Sequence, residues 1–228
     1  MTIVGIIPAA GYATRLGLAS GSKEMLAIGG KPVVDFLVER MRLGGCREIR
    51  LVTRPDKTDL IEHGRRSGLT VRLARPRTVS ESFACGLADL APDDVVLLGF
   101  PDTLWAPQNG FAMLVDALVP TVDVVLGLFR SPDLQRSDVV EVDPAWRVTA
   151  IDVKPARPRS PWLWGFAAAR VQALAGLEAV PEPGRHLDAL ARAGRPLIGV
   201  PLAGPWLDVG TKEALSRAEE LVRDFAAS

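Results

Sequence analysis

The sequence predicts an α/β fold, doubly wound around a mostly parallel mixed sheet. In the first half, short β-branched runs alternate with longer amphipathic stretches, the pattern of repeated βαβ units. After Asp123 the rhythm changes to closely spaced strand-like runs with Asp143-Pro144 as a turn signal, so this part is expected to be antiparallel or mixed. The 228 residues, 48% of them hydrophobic, suffice for one substantial core, and no repeat, low-complexity tract or linker divides them. Residues 1–228 are therefore read as one domain.

Taken in order, Ile3 to Pro8 reads as a buried strand, followed by a loop from Ala9 to Ser22 rich in Gly and small residues. A helix follows, with Pro32 in its first turn and Gly44-Gly45 at its end. Glu48 to Thr53 and Thr70 to Ala74 are strands flanking a polar helix. Thr78 and Glu81 have the spacing of a capping box and open a further helix. Asp94 to Leu98 is the most apolar strand, and Phe100-Pro101-Asp102 falls where its carboxyl end opens, the place where open α/β sheets bind ligands. Beyond the change of rhythm come strands at Asp123 to Phe129, Asp138 to Val142 and Val148 to Val153. Short helices are expected around Val171 to Leu177 and His186 to Ala193, then a strand at Pro196 to Pro201 and a last helix from Thr211. Arg157 to Pro161 reads as a loop at an active-site rim.

Lys plus Arg balance Asp plus Glu at 27 each, so no global field recruits nucleic acid or an anionic membrane, and a small anionic ligand fits better. Cys46 and Cys85, with no CxxC or Cys/His grouping, argue against a disulfide framework or structural zinc. With no basic leader and no spanning apolar run, the chain is expected to be soluble and cytoplasmic. Its oligomeric state, including a homo-oligomer, stays open.

The strongest local signal is PAAGYATRLG, Pro8 to Gly17, followed by Ser22-Lys23-Glu24-Met25-Leu26. A strand feeding a Gly-containing loop lets backbone N–H groups approach phosphates, and Arg15 and Lys23 can neutralise them. The competing reading is an ordinary turn with two solvated cations. GxGxxG and GxxxxGK[ST] are both absent, which removes the dinucleotide and Walker readings and disfavours a nicotinamide-dependent oxidoreductase.

IIPAAGYATRLG with SKEMLAIGGKPVVDFLVERM resembles the N-terminal signature of the sugar nucleotidylyltransferases, or NDP-sugar pyrophosphorylases. VVLLGFPDTL, TAIDVKP, WLWGFAAAR and WLDVGTKEAL resemble that family's remaining motifs, in order and over almost the whole chain. The resemblance implies a Rossmann-like fold of the nucleotide-diphospho-sugar transferase type. It also implies an Mg²⁺-dependent enzyme coupling a nucleoside triphosphate to a sugar 1-phosphate with release of pyrophosphate. Carried over residue by residue, Arg15, Lys23 and Lys154 are the catalytic cations. Ala9, Ala10, Gly11, Glu81, Ser82 and Gly86 contact the nucleotide, Trp164 and Gly165 the sugar together with Lys154, and Asp102 and Asp208 the metal.

This chain departs from the family pattern at Ala13, Ser22 and the run Gly99-Phe100-Pro101-Asp102. Ser82 and Gly86 match a spacing of CTP-using relatives, while Glu81 falls where thymidylyl enzymes place a base-contacting glutamine. dTTP or UTP is favoured, with CTP or GTP open. Each site residue has a plainer reading. Thr78 and Glu81 are also a simple helix cap, and Trp162 and Trp164 are also strand core. The arginines at 65, 66, 72, 75 and 77 read as a solvated face with one near the triphosphate. His63 and His186 are assigned no catalytic part. A cytidylyltransferase for a non-sugar phosphate such as phosphocholine and a non-catalytic nucleotide-binding module are the alternatives.

Overall fold

The computed structural model describes residues 2–11, 22–131, 134–210 and 212–227, so Arg15 and most of the glycine-containing loop lie outside the described residues. The chain opens with β1 (Ile3–Ala9), a 3-10 turn at Lys23–Met25, and the short strands β2 (Ala27–Ile28) and β3 (Lys31–Pro32). Then come α1 (Val33–Leu43), β4 (Glu48–Thr53), α2 (Thr58–Arg66), β5 (Thr70–Leu73), α3 (Val79–Leu87) and β6 (Val95–Gly99). After β7 (Thr103–Trp105) and α4 (Gly110–Ala117) lie β8 (Val124–Arg130), β9 (Asp138–Val142), β10 (Val148–Val153) and β11 (Trp162–Arg170). The chain ends in α5 (Pro183–Arg192), β12 (Leu197–Pro201), β13 (Trp206–Asp208) and α6 (Lys212–Ala227).

The α/β reading is borne out. Strands β5, β4, β1 and β6 are parallel neighbours, and β11 joins β6 antiparallel. β8 lies antiparallel beside β11, and β12 pairs parallel with β8. Chain order reverses at β1, which has β4 on one side and β6 on the other, so the crevice beyond their carboxyl ends is the switch point of a doubly wound sheet.

Side chains alternate between the two faces as the pleat requires. Ile7, Ala9, Val95 and Leu97 face a core with Val34, Leu37 and Met41 of α1 and Phe111 and Leu114 of α4. Val4, Ile6, Val96 and Leu98 face a second core with Phe83 of α3 and Leu187 of α5. Gly86 lets α3 lie close on β1, since a Cβ there would stand 2.4 Å from Ile6 Cγ2.

Several expectations needed correction. Pro32 sits just before α1 as its N-cap rather than in its first turn, and the stretch expected as a helix from Val171 is two 3-10 turns interrupted by Gly176 at φ 81°. A left-handed residue stops helix propagation. No helix was expected at α4, although Gly110 and Phe111 are buried there.

β11 changes neighbour along its length. Phe166 pairs with Gly99 of β6, while Leu163 pairs with Val139 of β9 on that edge and with Phe129 of β8 on the other. Gly165 is the extra residue between, where the register with β8 shifts. The edge is thus handed from β6 to β9, and a cleft opens between them.

Candidate active site

The cleft has a volume of about 360 Å³ and reaches from the carboxyl ends of β1 and β6 to the start of α5. Ala10, Gly11, Lys23, Ser82, Asp102, Lys154, Trp164 and Asp208, all singled out in the sequence, line it.

Lys23 is held from both sides. Ser22 before it donates through N and Oγ to Asp59 at 2.8 and 2.7 Å. Glu24 after it is fully buried and receives Lys57 Nζ at 2.9 and 2.8 Å, while the same ammonium donates to the Ala9 carbonyl at 2.8 Å. Burial pushes the Glu24 carboxyl up and Lys57 only partly offsets this. In spite of some burial, hydrogen bonds from Ser22 hold the Asp59 carboxyl below its ordinary range. The first turn of α2 therefore fixes both the end of β1 and the backbone of Lys23.

Lys23 Nζ donates to Asp102. Burial works against its charge, yet Asp102, Glu24 and Asp208 together raise its pKa above the ordinary value, so it is an ammonium at neutral pH. Asp102 is presented by a turn in which the Phe100 carbonyl accepts from Thr103 Oγ1 at 2.9 Å and from Thr103 N at 3.3 Å. Asp208 ends β13, paired antiparallel with β7 so that Asp208 opposes Thr103, and Val209 N donates to the Asp102 carbonyl at 2.8 Å. The two aspartates, 106 positions apart (208 minus 102), thus stand on adjacent strand ends.

Along α3, Thr78 Oγ1 accepts from Glu81 N at 3.0 Å, and Glu81 turns back to Arg77, accepting from its backbone N at 2.7 Å. Glu81 is thereby committed to capping and to Arg77, and the structure does not bring it to the cleft wall. Ser82 Oγ is buried with no hydrogen-bond partner among the described residues, and Ser82 lines the cleft. A hydroxyl left that way is the kind of group a ligand satisfies. Ala9 and Gly86 serve the scaffold, the former through its carbonyl and the latter through its packing on Ile6.

At the far end, Lys154 adopts a left-handed backbone at φ 47°, uncommon for a residue with a side chain, just before Pro155. Its Nζ lies 3.9 Å from Glu182, which also receives Arg185 Nε at 3.0 Å. Gly165 lies behind this wall. A Cβ on it would come within 2.7 Å of Trp206 Nε1 and 2.9 Å of Phe129, so its small size seats Trp206, which does line the cleft.

Asp138 escaped the sequence reading. Its carboxylate accepts from Trp164 Nε1 at 3.3 Å, and burial pushes its pKa up against the pull of Trp164 and Lys154. Arg136 and Glu182 line the cleft and were likewise unassigned, while Arg77, which also lines it, comes from the cluster in which one arginine was expected near the triphosphate. No motif marks them, because each is a single polar residue at an element's end. Of the histidines, His63 meets Asp35 at 2.7 Å and His186 the Ala173 carbonyl at 2.8 Å, both outside the cleft. Among the described residues no helix is long and apolar enough to cross a membrane.

A doubly wound sheet with a lysine and two carboxylates at its switch point, and a second lysine across the cleft, defines an α/β protein equipped to handle phosphates. A family model described as the MobA-like NTP transferase domain matches residues 5–192, and the chain belongs to that family. It is 27% identical over 237 residues to a glucose-1-phosphate thymidylyltransferase of Neisseria meningitidis, covering 96% of this chain and 82% of that one. Against the Actinoplanes sp. glucose-1-phosphate thymidylyltransferase the identity is 28%, covering 96% of this chain and 78% of that one. A solved UDP-glucose pyrophosphorylase bound to UDP-glucose shares the fold with a TM-score of 0.84 at 17% identity, covering 98% of this chain and 99% of that one. These findings bear out the sugar nucleotidylyltransferase resemblance read from the motifs.

Proposed function

We propose that the protein is a nucleotidylyltransferase that joins a nucleoside triphosphate to a sugar 1-phosphate, releasing pyrophosphate and an NDP-sugar. The observation that carries this is the meeting of Lys23, Asp102 and Asp208 at one end of a cleft whose other end holds Lys154. An oxygen of the sugar phosphate attacks the α-phosphorus in line, the new P–O bond forms, and the bond to the β-phosphate oxygen breaks with its electrons leaving on pyrophosphate. The attacking oxygen is already anionic, so no general base is required, and the protein's work is positioning and offsetting charge.

In this reading Ala10 and Gly11 offer backbone N–H groups to the triphosphate. Lys23, with Arg15, stabilises the departing pyrophosphate. Ser82 contacts the base, for which dTTP or UTP is favoured, and Lys154 orients the sugar phosphate. Asp102 and Asp208 fit Mg²⁺, which takes one or two carboxylates and completes its shell with water and phosphate oxygens. Bound there it would neutralise charge on the phosphates. A cytoplasmic setting accords with this metabolite chemistry.

The test is pyrophosphate release by the purified chain with Mg²⁺, pairing each of the common triphosphates with a panel of sugar 1-phosphates and phospho-alcohols. Release that requires both substrates is expected. If no pair reacts while a triphosphate still raises the melting temperature, the chain is a nucleotide-binding module instead.

A further inference from the structure

Asp138 begins β9 at the point where β11 passes from β6 to β9, and it lines the cleft on the side of Lys154. Two fixed neighbours hold it. Trp164 Nε1 donates to Oδ2 at 3.3 Å, and Gly184 in the first turn of α5 lies so close that a Cβ there would stand 2.3 Å from Oδ2. A carboxylate has about four acceptor positions, and the indole uses one. Asp138 lines the cleft beside the aromatic rings of Trp164 and Phe100, whose centroids are 5.5 Å apart, where its further acceptor positions can take a bound group.

The charges around it decide what that group is. Lys154 is taken by the acceptor's phosphate, Glu182 is paired with Arg185 Nε at 3.0 Å, and Asp138 shares the lining with Arg136. An ammonium head group would meet no net negative charge here. A neutral hydroxyl needs only a well-placed acceptor, and a sugar ring also offers a C–H face to an aromatic wall.

We propose that Asp138 selects the acceptor: beyond the phosphate held at Lys154, its carboxylate accepts a hydrogen bond from a ring hydroxyl, making this end a site for uncharged polyhydroxyl rings rather than for ammonium-bearing phospho-alcohols. The inference rests on the transfer reading and adds its acceptor-selecting residue.

The experiment measures pyrophosphate release by the wild-type chain, Asp138→Asn and Asp138→Ala. Acceptors are the best sugar 1-phosphate of the panel, its set of monodeoxy analogues, and phosphocholine. Wild type is expected to use the sugar phosphate and not phosphocholine. It should lose about 10- to 100-fold in kcat/KM for one deoxy position, the range of a hydrogen bond to a charged group. Both variants should raise the KM for the sugar phosphate by about tenfold or more, leave that for the triphosphate unchanged, and become indifferent to that deoxy position. Asp138→Asn keeps the shape and an oxygen for Trp164, so it serves even if the alanine variant fails to fold. A wild type that prefers phosphocholine, or variants that keep the sugar KM or raise both KM values alike, overturn the inference and leave the transfer reading standing. If no pair releases pyrophosphate, the transfer reading falls and takes this inference with it.

Discussion

The proposed triphosphate end of the cleft takes Ala10, Gly11 and Lys23, close in sequence and braced by Lys57 and Asp59, with Asp102 and Asp208 brought in by one short ladder. The proposed acceptor end takes Asp138 and Trp164 from β9 and β11, Lys154 from just beyond β10 and Glu182 from the N-cap of α5. Its side chains are held by contacts with one another, while Lys23 is held through buried charges beneath the wall. One end is thus fixed by the scaffold, and the other can change residue by residue without disturbing it.

The largest expected effect lies at the triphosphate end. Asp102→Ala should lower turnover by about a thousandfold or more, because charge stabilisation on transferring phosphates is worth several kcal/mol. Asp102→Asn should do nearly the same, which separates loss of charge from loss of shape. Pyrophosphate release measures the effect, with circular dichroism reporting the fold. Unchanged kcat in a folded variant would sink the proposal that Asp102 holds Mg²⁺.

Next in size is the brace itself. Lys57→Met leaves the fully buried Glu24 without its counter-charge and should cost about 3–5 kcal/mol of stability, read from the urea midpoint. The double variant Lys57→Met with Glu24→Leu should regain most of that, since replacing a buried pair by apolar residues is often neutral. A single variant as stable as wild type would break the comparison, because Lys23 would then not depend on its scaffold. A comparable loss is not expected at Lys154–Glu182, a pair at 3.9 Å with a half-exposed lysine, since such pairs contribute about 0–1 kcal/mol.

Smaller again is Gly86→Ala. The added Cβ presses on Ile6 and should cost about 1–3 kcal/mol by forcing α3 away from β1. Paired with Ile6→Ala, the loss should be less than the sum of the two single losses, as expected for residues that share one contact. Additive losses would mean that the helix is seated elsewhere.

How much was legible follows the same division. Period and turn signals gave the parallel strands, and β9 and β10 fell at the stated bounds because Asp143-Pro144 fixes the hairpin between them. The motif residues at 10, 11, 102 and 208 lie at or just beyond strand ends and Lys23 in a 3-10 turn, places where motifs mark the chain locally. Asp138 and Glu182 could not be read that way. Each lines the cleft only because β11 changes partner at the Gly165 bulge and α5 packs against β10, and neither event leaves a local pattern. Gly86 and Gly165 were read as ligand contacts, although packing against Ile6 and Trp206 sets their size. Glycine in a motif marks close approach, and the sequence does not say by what.

The mildest test asks whether the nucleotide half stays closed. Cys46, half-buried, packs against the core beneath β1, and burial pushes its thiol up to about 12. The thiolate is the species that alkylates. At pH 8 only about one thiol in ten thousand would be ionised, by the ordinary titration relation for a pKa of about 12. Iodoacetamide should therefore leave Cys46 unmodified in the native protein and label it once urea has unfolded the chain, as mass spectrometry of the peptides would show. Cys85, on α3, reports separately on the helix that carries Ser82. Native labelling at Cys46 would mean that the segment joining α1 to β4 opens below the global unfolding transition. The scaffold of the triphosphate end would then be no firmer than the acceptor wall opposite it.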